Sequence, residues 1–138
     1  MLPTKKMTKV EAKSLNIINL AFIGDAVYSL YIRQKLLSEK EEKPNDLNKA
    51  SSALVCAEAQ SGLSERLLSV MTEEEVDIFR RGRNAKSHLK KNATVAVYHA
   101  STGFEALLGF YYLKGEQERL EEIVEAAFWF IVENYVEE

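Results

Sequence analysis

The chain has 138 residues and a mass of 15.7 kDa, which suits one domain with its own core and is too short for two ordinary domains. Hydrophobic residues make up 46% and charged residues 28%, with only 6 Gly and 2 Pro, so collagen-like, low-complexity and wholly disordered classes are excluded and helices are favoured. The single Cys, Cys56, excludes an intramolecular disulfide and a cysteine-based zinc cluster. Neither a secretory signal nor a membrane span is evident, so the sequence predicts a soluble, cytoplasmic protein.

Helices are predicted from the beginning of the chain. Between Leu15 and Leu37 there is no Pro and only one Gly, and apolar residues occupy two faces. This pattern predicts a helix that is buried nearly all round. A second helix is expected from Asn45 or Asp46 to Gln60, because either polar residue could cap its first turn.

The second half of the chain also predicts helices, separated by one long loop. Two short helices are expected in LSERLLSVM and MTEEEVDIFRRGR, the latter starting at a capping-box pattern of Thr72 and Glu75 and ending at Gly82. The following segment, RRGRNAKSHLKKNAT, lacks apolar periodicity and predicts a loop. Helices are then expected over Val95–Leu113 and Gln117–Tyr135. The sequence therefore predicts an all-α fold of about six or seven helices.

Basic and acidic residues are segregated along the chain, whose formal net charge is −3. No acid occurs between Asp77 and Glu105, and that interval contains a basic block consisting of Arg80, Arg81, Arg83, Lys86, Lys90 and Lys91. The rest of the chain has 12 basic and 21 acidic residues, a net charge of −9. A basic patch on an acidic body is typical of a phosphate-binding surface. A solvated basic loop would give the same pattern, and charge alone does not choose between them.

Two isolated carboxylates lie in the most apolar predicted helices. Asp25 is the only charged residue of the first helix before Arg33, and Glu105 is the only acid within Val95–Leu113. An unpaired ionised carboxylate in a buried helix costs several kcal/mol, so each should have a partner. Gly24 and Gly103, close to the two acids, would let another backbone or a ligand approach. The pair could hold Mg²⁺, or each could satisfy a buried Arg, Tyr or backbone group, and the spacing does not say whether the two helices meet.

Two motifs resemble the ribonuclease III catalytic domain. Phe22-Ile23-Gly24-Asp25-Ala26-Val27 resembles that family's signature, and Gly103-Phe104-Glu105-Ala106-Leu107-Leu108-Gly109 resembles its second motif. The likeness covers essentially all 138 residues and is closest to the Mini-ribonuclease III group, which consists of the catalytic domain alone. It implies that residues 1–138 form one ribonuclease III-like helical domain, without a double-stranded-RNA-binding domain, that assembles as a homodimer.

The resemblance also implies a function, namely a Mg²⁺-dependent endoribonuclease that cuts both strands of double-stranded RNA along a groove between subunits. Asp25 and Glu105 match the family's catalytic, metal-binding carboxylates, and the basic block is assigned to phosphate contacts. The implied substrate is the precursor of the large-subunit (23S) ribosomal RNA. A large-subunit ribosomal protein that presents this RNA is a candidate partner.

The chain departs from the longer ribonuclease III pattern at three positions. Ile18 and Ala21 occupy positions where longer members carry acids, and Thr102 occupies a position where the second motif usually opens with Asp. The missing acids leave the number of metal ions open. They also leave open a second hypothesis, in which the chain is a non-catalytic RNA-binding or ribosome-associated module of the same fold. A third hypothesis, an all-α adaptor whose basic loop binds an acidic protein, predicts no preference for duplex over single-stranded RNA.

Overall fold

A computed structural model describes residues 6–39, 67–85 and 95–135 of the chain. All regular structure within these ranges is helical, which confirms the all-α prediction. None of the described helices is long and apolar enough to cross a membrane. The elements are α1 (Lys9–Ser14), α2 (Ile17–Glu39), a 3₁₀ turn (Leu68–Val70), α3 (Glu73–Arg83), α4 (Val95–Lys114) and α5 (Gln117–Tyr135).

Three of the predicted helices are found with nearly the predicted bounds. Both α4 and α5 begin at the predicted residue, and α2 is displaced by two residues at each end. The helix expected from Asn45 or Asp46 to Gln60 lies outside the described residues, as does Cys56. In the described part of LSERLLSVM, Leu67 is α-helical and the 3₁₀ turn of Leu68–Val70 follows it.

Side-chain caps fix where the helices start. The predicted capping box at the start of α3 is confirmed, since the Thr72 side chain accepts from the Glu75 backbone N–H and the Glu75 carboxylate accepts from that of Thr72. The same arrangement joins Thr8 and Glu11 at the start of α1, with both hydrogen bonds at 3.1 Å. This Thr-x-x-Glu pattern was available in the sequence and predicts a helix that the apolar periodicity misses.

The core is built around α4. Every residue from Ser101 to Tyr111 is buried except Glu105, which is half-buried. Helix α4 packs against α2 on one side and α3 on another, and α5 contacts both α4 and α2. The predicted apolar face of α5 is buried in this core through Leu120, Ile123, Val124, Ala127 and Phe128.

The apolar pattern of α2 predicts a helix that is buried nearly all round, and this prediction is wrong for one face of the helix. One face packs in the core, but Phe22 is 80% exposed, Leu30 54% and Leu37 64%, and Ala26 is also exposed. These four residues follow one another at intervals of four and seven along the helix, so they form a single apolar stripe. A helix that is apolar on two faces has the same sequence pattern whether its second face is in the core or on a surface.

An ion pair between buried Glu75 and half-buried Arg119 joins α3 and α5 at one end of the core, and Tyr111 of α4 also contacts it. The Glu75 carboxylate accepts hydrogen bonds from Arg119 Nε and Nη2, both at 2.7 Å, and from the Tyr111 hydroxyl. Burial alone would raise the pKa of Glu75, but the hydrogen bonds from Arg119 and the Thr72 backbone outweigh it, so this pKa lies below its usual range. The carboxylate is therefore ionised at neutral pH and links all three helices.

Substitution of Glu75 by Gln should lower the free energy of unfolding by about 1.5–3 kcal/mol, the usual cost of losing hydrogen bonds to a charged group. Because the pKa of Glu75 is lower in the folded than in the unfolded chain, its contribution is complete above the unfolded pKa of about 4.3. It is lost as the pH falls through the folded value. Urea unfolding measured over this pH range should show that wild type and Glu75→Gln become more similar in free energy of unfolding as the pH falls. A difference in free energy that does not change with pH would contradict the proposed role of Glu75.

Candidate active site

The two isolated carboxylates lie at a crossing where α2 and α4 are in backbone contact. A Cβ atom on Gly24 would overlap the carbonyl oxygen of Glu105 and lie 2.6 Å from its carbonyl carbon. One turn away, a Cβ on Gly109 would overlap the carbonyl oxygen of Leu20 and lie 2.8 Å from its carbonyl carbon. Each helix thus contributes a glycine that receives the backbone of the other. The expected close approach at Gly24 is confirmed, and it sets the residue before Asp25 directly against Glu105.

The environments of Asp25 and Glu105 differ from the expectation that both are buried. Asp25 is exposed and Glu105 is half-buried, because Asp25 lies on the outer side of α2 while Glu105 is the partly open position of an otherwise buried segment of α4. The large desolvation cost assumed for Asp25 therefore does not arise. Both acids lie beside the crossing of α2 and α4, and both are accessible to solvent.

The donor set at the crossing fits a hard divalent cation held with water. Mg²⁺ in proteins takes oxygen ligands and commonly uses one or two carboxylates while keeping several waters. Asp25 and Glu105 supply two such carboxylates. Among the residues that the structure describes, no group of three or more His, Cys, Asp or Glu side chains could enclose a metal ion. Thr102, which occupies the position of a missing acid, is buried.

A second glycine crossing positions the arginine-rich end of α3 beside the same part of α4. A Cβ on Gly82 would lie 2.7 Å from the Cα of Gly103, and a Cβ on Gly103 would lie 2.6 Å from the carbonyl oxygen of Phe79. Helix α3 ends at Arg83, one residue after the predicted Gly82. Gly82 also permits close packing of α3 against α4. Gly103 is two residues from Glu105 along α4, so the end of α3 packs beside the part of α4 that carries Glu105.

The arginines of the basic block belong to the last turn of α3 rather than to a loop. Cations there are favourably placed at the negative end of the helix dipole. Arg80 and Arg83 are exposed, and the Arg83 guanidinium lies over the Phe79 ring, 5.9 Å from its centroid. Arg81 is half-buried and its Nη2 donates to the carbonyl oxygen of Lys13 at 3.3 Å. The other predicted phosphate ligands, Lys86, Lys90 and Lys91, lie outside the described residues.

Comparison with known proteins identifies relatives that match most of the chain. The Ribonuclease III domain family matches residues 18–116, an interval that contains Asp25 and Glu105. A protein named Mini-ribonuclease 3 from Thermoanaerobacter sp. (strain X514) is 48% identical over 131 residues, which is 94% of this chain and 92% of that protein. One of the same name from Enterococcus faecalis is 46% identical over 115 residues, or 81% and 87% of the two chains.

A solved structure has the same fold. An X-ray crystal structure of a Fusobacterium nucleatum protein superposes with a TM-score of 0.76 at 29% sequence identity. The match covers 86% of this chain and 94% of that chain. The helical architecture described above is therefore shared with an experimentally determined protein.

The close contact at Gly24 predicts that adding one methyl group at this position strongly destabilises the protein. Substitution of Gly24 by Ala should lower the free energy of unfolding by at least about 2–3 kcal/mol, because the new Cβ would overlap the Glu105 backbone and force α2 away from α4. Substitution of the exposed Gln34 by Ala on the same helix is the control, expected to change stability by less than about 0.5 kcal/mol. Urea unfolding measures the stability of both variants. A Gly24→Ala protein that unfolds at the same urea concentration as wild type would contradict the close contact.

Proposed function

The chain belongs to the ribonuclease III family and is an endoribonuclease, and from this premise we propose that it cuts both strands of double-stranded RNA with Asp25 and Glu105 as catalytic carboxylates. The observation that supports this assignment is the glycine crossing, which brings these two acids from distant parts of the sequence to one border between α2 and α4. Both acids lie inside the matched residues 18–116. Their partial exposure leaves room for a large substrate.

The two carboxylates would hold Mg²⁺ at the crossing. A divalent cation bound there supplies activation of a water molecule and neutralisation of the negative charge that develops on the phosphate oxygens. The protein contributes a fixed position for Glu105, because its backbone is clamped by Gly24 and its neighbours along α4 are buried. Asp25, on the exposed side of α2, is the acid that approaching RNA would meet first.

The basic block would bind the phosphates on either side of the cut. Arg80 and Arg83 are exposed at the end of α3, next to the Gly82–Gly103 crossing and hence close to Glu105 along α4. Contacts to phosphates fix the register of a duplex without reading its sequence. We assign Lys86, Lys90 and Lys91 to the same role by their place in the block, and Arg81 to this surface with part of its hydrogen-bonding capacity already used on Lys13.

The proposed homodimer would use the exposed apolar stripe of α2. Phe22, Ala26, Leu30 and Leu37 are the kind of contiguous apolar surface that marks an interface, and a two-fold axis would pair this stripe with itself. Asp25 lies on the same helix between the first two of these residues. Two copies joined here would therefore present two catalytic centres to one duplex, as cleavage of both strands requires.

The proposed substrate is the structured precursor of the large-subunit ribosomal RNA. This proposal rests on the resemblance to the Mini-ribonuclease III group, and a large-subunit ribosomal protein that presents the RNA is part of it. Cleavage of this precursor, alone and with purified large-subunit proteins, can be compared with cleavage of an unrelated duplex. Equal rates on all three would leave the enzyme a general duplex endoribonuclease.

The carboxylates are tested by cleavage of a long double-stranded RNA. Asp25→Asn and Glu105→Gln should each lower kcat by at least about a hundredfold, as expected for loss of a group that stabilises the transition state. Wild type should cut with Mg²⁺ and not with EDTA, and both variants should still bind RNA. Binding without any cleavage by wild type would favour the RNA-binding module instead, and cleavage at the wild-type rate by either variant would remove that residue from the site.

The dimer is tested by placing a charge on the α2 stripe. Phe22→Glu and Leu30→Glu should each raise the dimer dissociation constant by about a hundredfold or more, because each buries an unpaired carboxylate twice in a symmetric interface. Val10, which is 77% exposed on α1, offers the matched control Val10→Glu, which should associate like wild type. Sedimentation equilibrium measures the constants, and dimeric Phe22→Glu and Leu30→Glu proteins would exclude this face.

A further inference from the structure

We propose that Arg33 of each subunit crosses the dimer interface and pairs with Asp25 of the other subunit, so that each catalytic centre is completed by a residue of its partner. The inference rests on the proposed function, from which it takes the two-fold contact along α2. It adds a positioning residue to the site, because Arg33 would act through the carboxylate of Asp25 and not on the RNA.

Arg33 is a cation within the exposed apolar stripe of α2. It follows Leu30 by three residues and precedes Leu37 by four, so it leaves the helix on the same face as these two exposed leucines. Its guanidinium has no ion pair or hydrogen bond with any residue in the described ranges. Water hydrates this charge while the stripe is open, and a second copy that covers the stripe would remove that water. The second copy must then supply an acid.

Asp25 is the acid that α2 offers to a second copy. It is exposed, follows Phe22 of the stripe by three residues, and forms no ion pair within the part of the chain that the structure describes. The other acid of α2 is Glu39, the last residue of the helix. Pairing Arg33 with Glu39 would centre the contact near the end of α2 and leave Phe22 facing no part of the other helix.

The charge of Arg33 also decides in which direction the two helices run. A parallel pairing about a two-fold axis would place each Arg33 against its own copy, and two like charges in an apolar interface repel each other. In an antiparallel pairing, residues equally far from the axis on either side face one another. Ser29 is midway between Asp25 and Arg33, so an axis beside Ser29 brings each Arg33 to the level of Asp25 of the partner subunit.

The same register pairs the apolar residues of the stripe. Phe22 is seven residues before Ser29 and Leu37 is eight residues after it, so each Phe22 meets Leu37 of the partner subunit. Leu30 is next to the axis and meets its own copy. Ala26, beside Asp25, has a small side chain that leaves room for the long stem of the crossing arginine. One register therefore satisfies the charges and the apolar residues together.

Arg33 and Asp25 lie on the same flank of this contact. Relative to Ala26 in the middle of the stripe, Asp25 is turned by about 100° and Arg33 by about 20° round the helix, in the same sense. A two-fold axis that relates antiparallel helices keeps corresponding flanks on one side of the interface. The arginine therefore leans toward the side on which Asp25 of the partner subunit lies.

The ion pair would hold the carboxylate that the single subunit leaves free. The backbone of Glu105 is in contact with Gly24 and its neighbours along α4 are buried, whereas Asp25 is exposed and has no ion pair in the described ranges. A guanidinium that binds one carboxylate oxygen restricts rotation of the group and leaves the other oxygen for a cation. The partner subunit's Arg33 thus supplies the constraint that Asp25 lacks in its own chain.

The pairing is tested by a double-mutant cycle on the dimer dissociation constant, measured by sedimentation equilibrium. Arg33→Gln and Asp25→Asn should each raise the constant by about tenfold or more, because each leaves a charge unpaired in the interface. The doubly substituted protein should dimerise no worse than the weaker of the two single variants. Effects that simply multiply would overturn the proposal.

Lys35→Gln is the matched control for this cycle. Lys35 is a cation of the same helix, but it pairs with Glu125 of its own chain at 2.9 Å and lies between α2 and α5. Its replacement should leave the dimer dissociation constant unchanged. Arg33→Lys keeps the positive charge and should retain more of the wild-type affinity than Arg33→Gln.

A subunit-mixing experiment separates action across the interface from action within one chain. At protein concentrations above the dissociation constants, Arg33→Gln should lower kcat by about tenfold, the usual effect of losing a residue that orients a metal ligand. In a mixed dimer of Arg33→Gln and Asp25→Asn subunits, one centre carries both substitutions and the other carries neither. The mixture should therefore cut one strand of duplex RNA several times faster than the mean of the two parent proteins. No gain on mixing would show that Arg33 does not act across the interface.

The outcomes distinguish this inference from the function on which it rests. If wild type cuts no duplex RNA, the proposed function fails and the role of Arg33 in it fails as well. If wild type cuts duplex RNA and Arg33→Gln both dimerises and cuts like wild type, only the pairing of Arg33 with Asp25 is overturned.

Discussion

Backbone contact between α2 and α4 fixes the relative position of the two proposed catalytic carboxylates. Helices usually pack with their axes about 8–10 Å apart, and Gly24 and Gly109 allow a closer approach because no Cβ separates the two backbones. Each glycine costs the helix about 1 kcal/mol relative to Ala, and that cost is offset by contact between two otherwise well-packed helices. The same contact places Asp25 and Glu105, which are eighty residues apart, at one border.

Charge is distributed so that neighbouring acids have different roles. Glu75 is buried and holds Arg119 and Tyr111, which joins three helices. Glu74 points the other way and pairs with lysines of α1 and α4. Both belong to the acidic first turn of α3, whose last turn carries three arginines. This order complements the helix dipole, with the ion pair of Glu75 at one end of α3 and the arginines at the other.

Local signals in the sequence were sufficient for most helix boundaries and for the capping box at Thr72, which the structure confirms. The isolation of Asp25 and Glu105 is also a local signal, but the burial expected of both acids is not found, since Asp25 is exposed and Glu105 is half-buried. The exposure of Phe22 and the role of Gly82 could not be predicted in this way. An apolar residue has the same pattern in a core and on a surface, and a glycine inside a helix differs from a helix-ending glycine only through what packs against it.

We propose that the crossing of α2 and α4 makes a single site from two carboxylates. Anomalous scattering from crystals grown with Mn²⁺, which shares the oxygen-ligand preference of Mg²⁺, tests it most directly. We expect a manganese peak within about 2.0–2.3 Å of carboxylate oxygens from both Asp25 and Glu105. A peak held by only one of them, or no peak at a manganese concentration that supports cleavage, would contradict it.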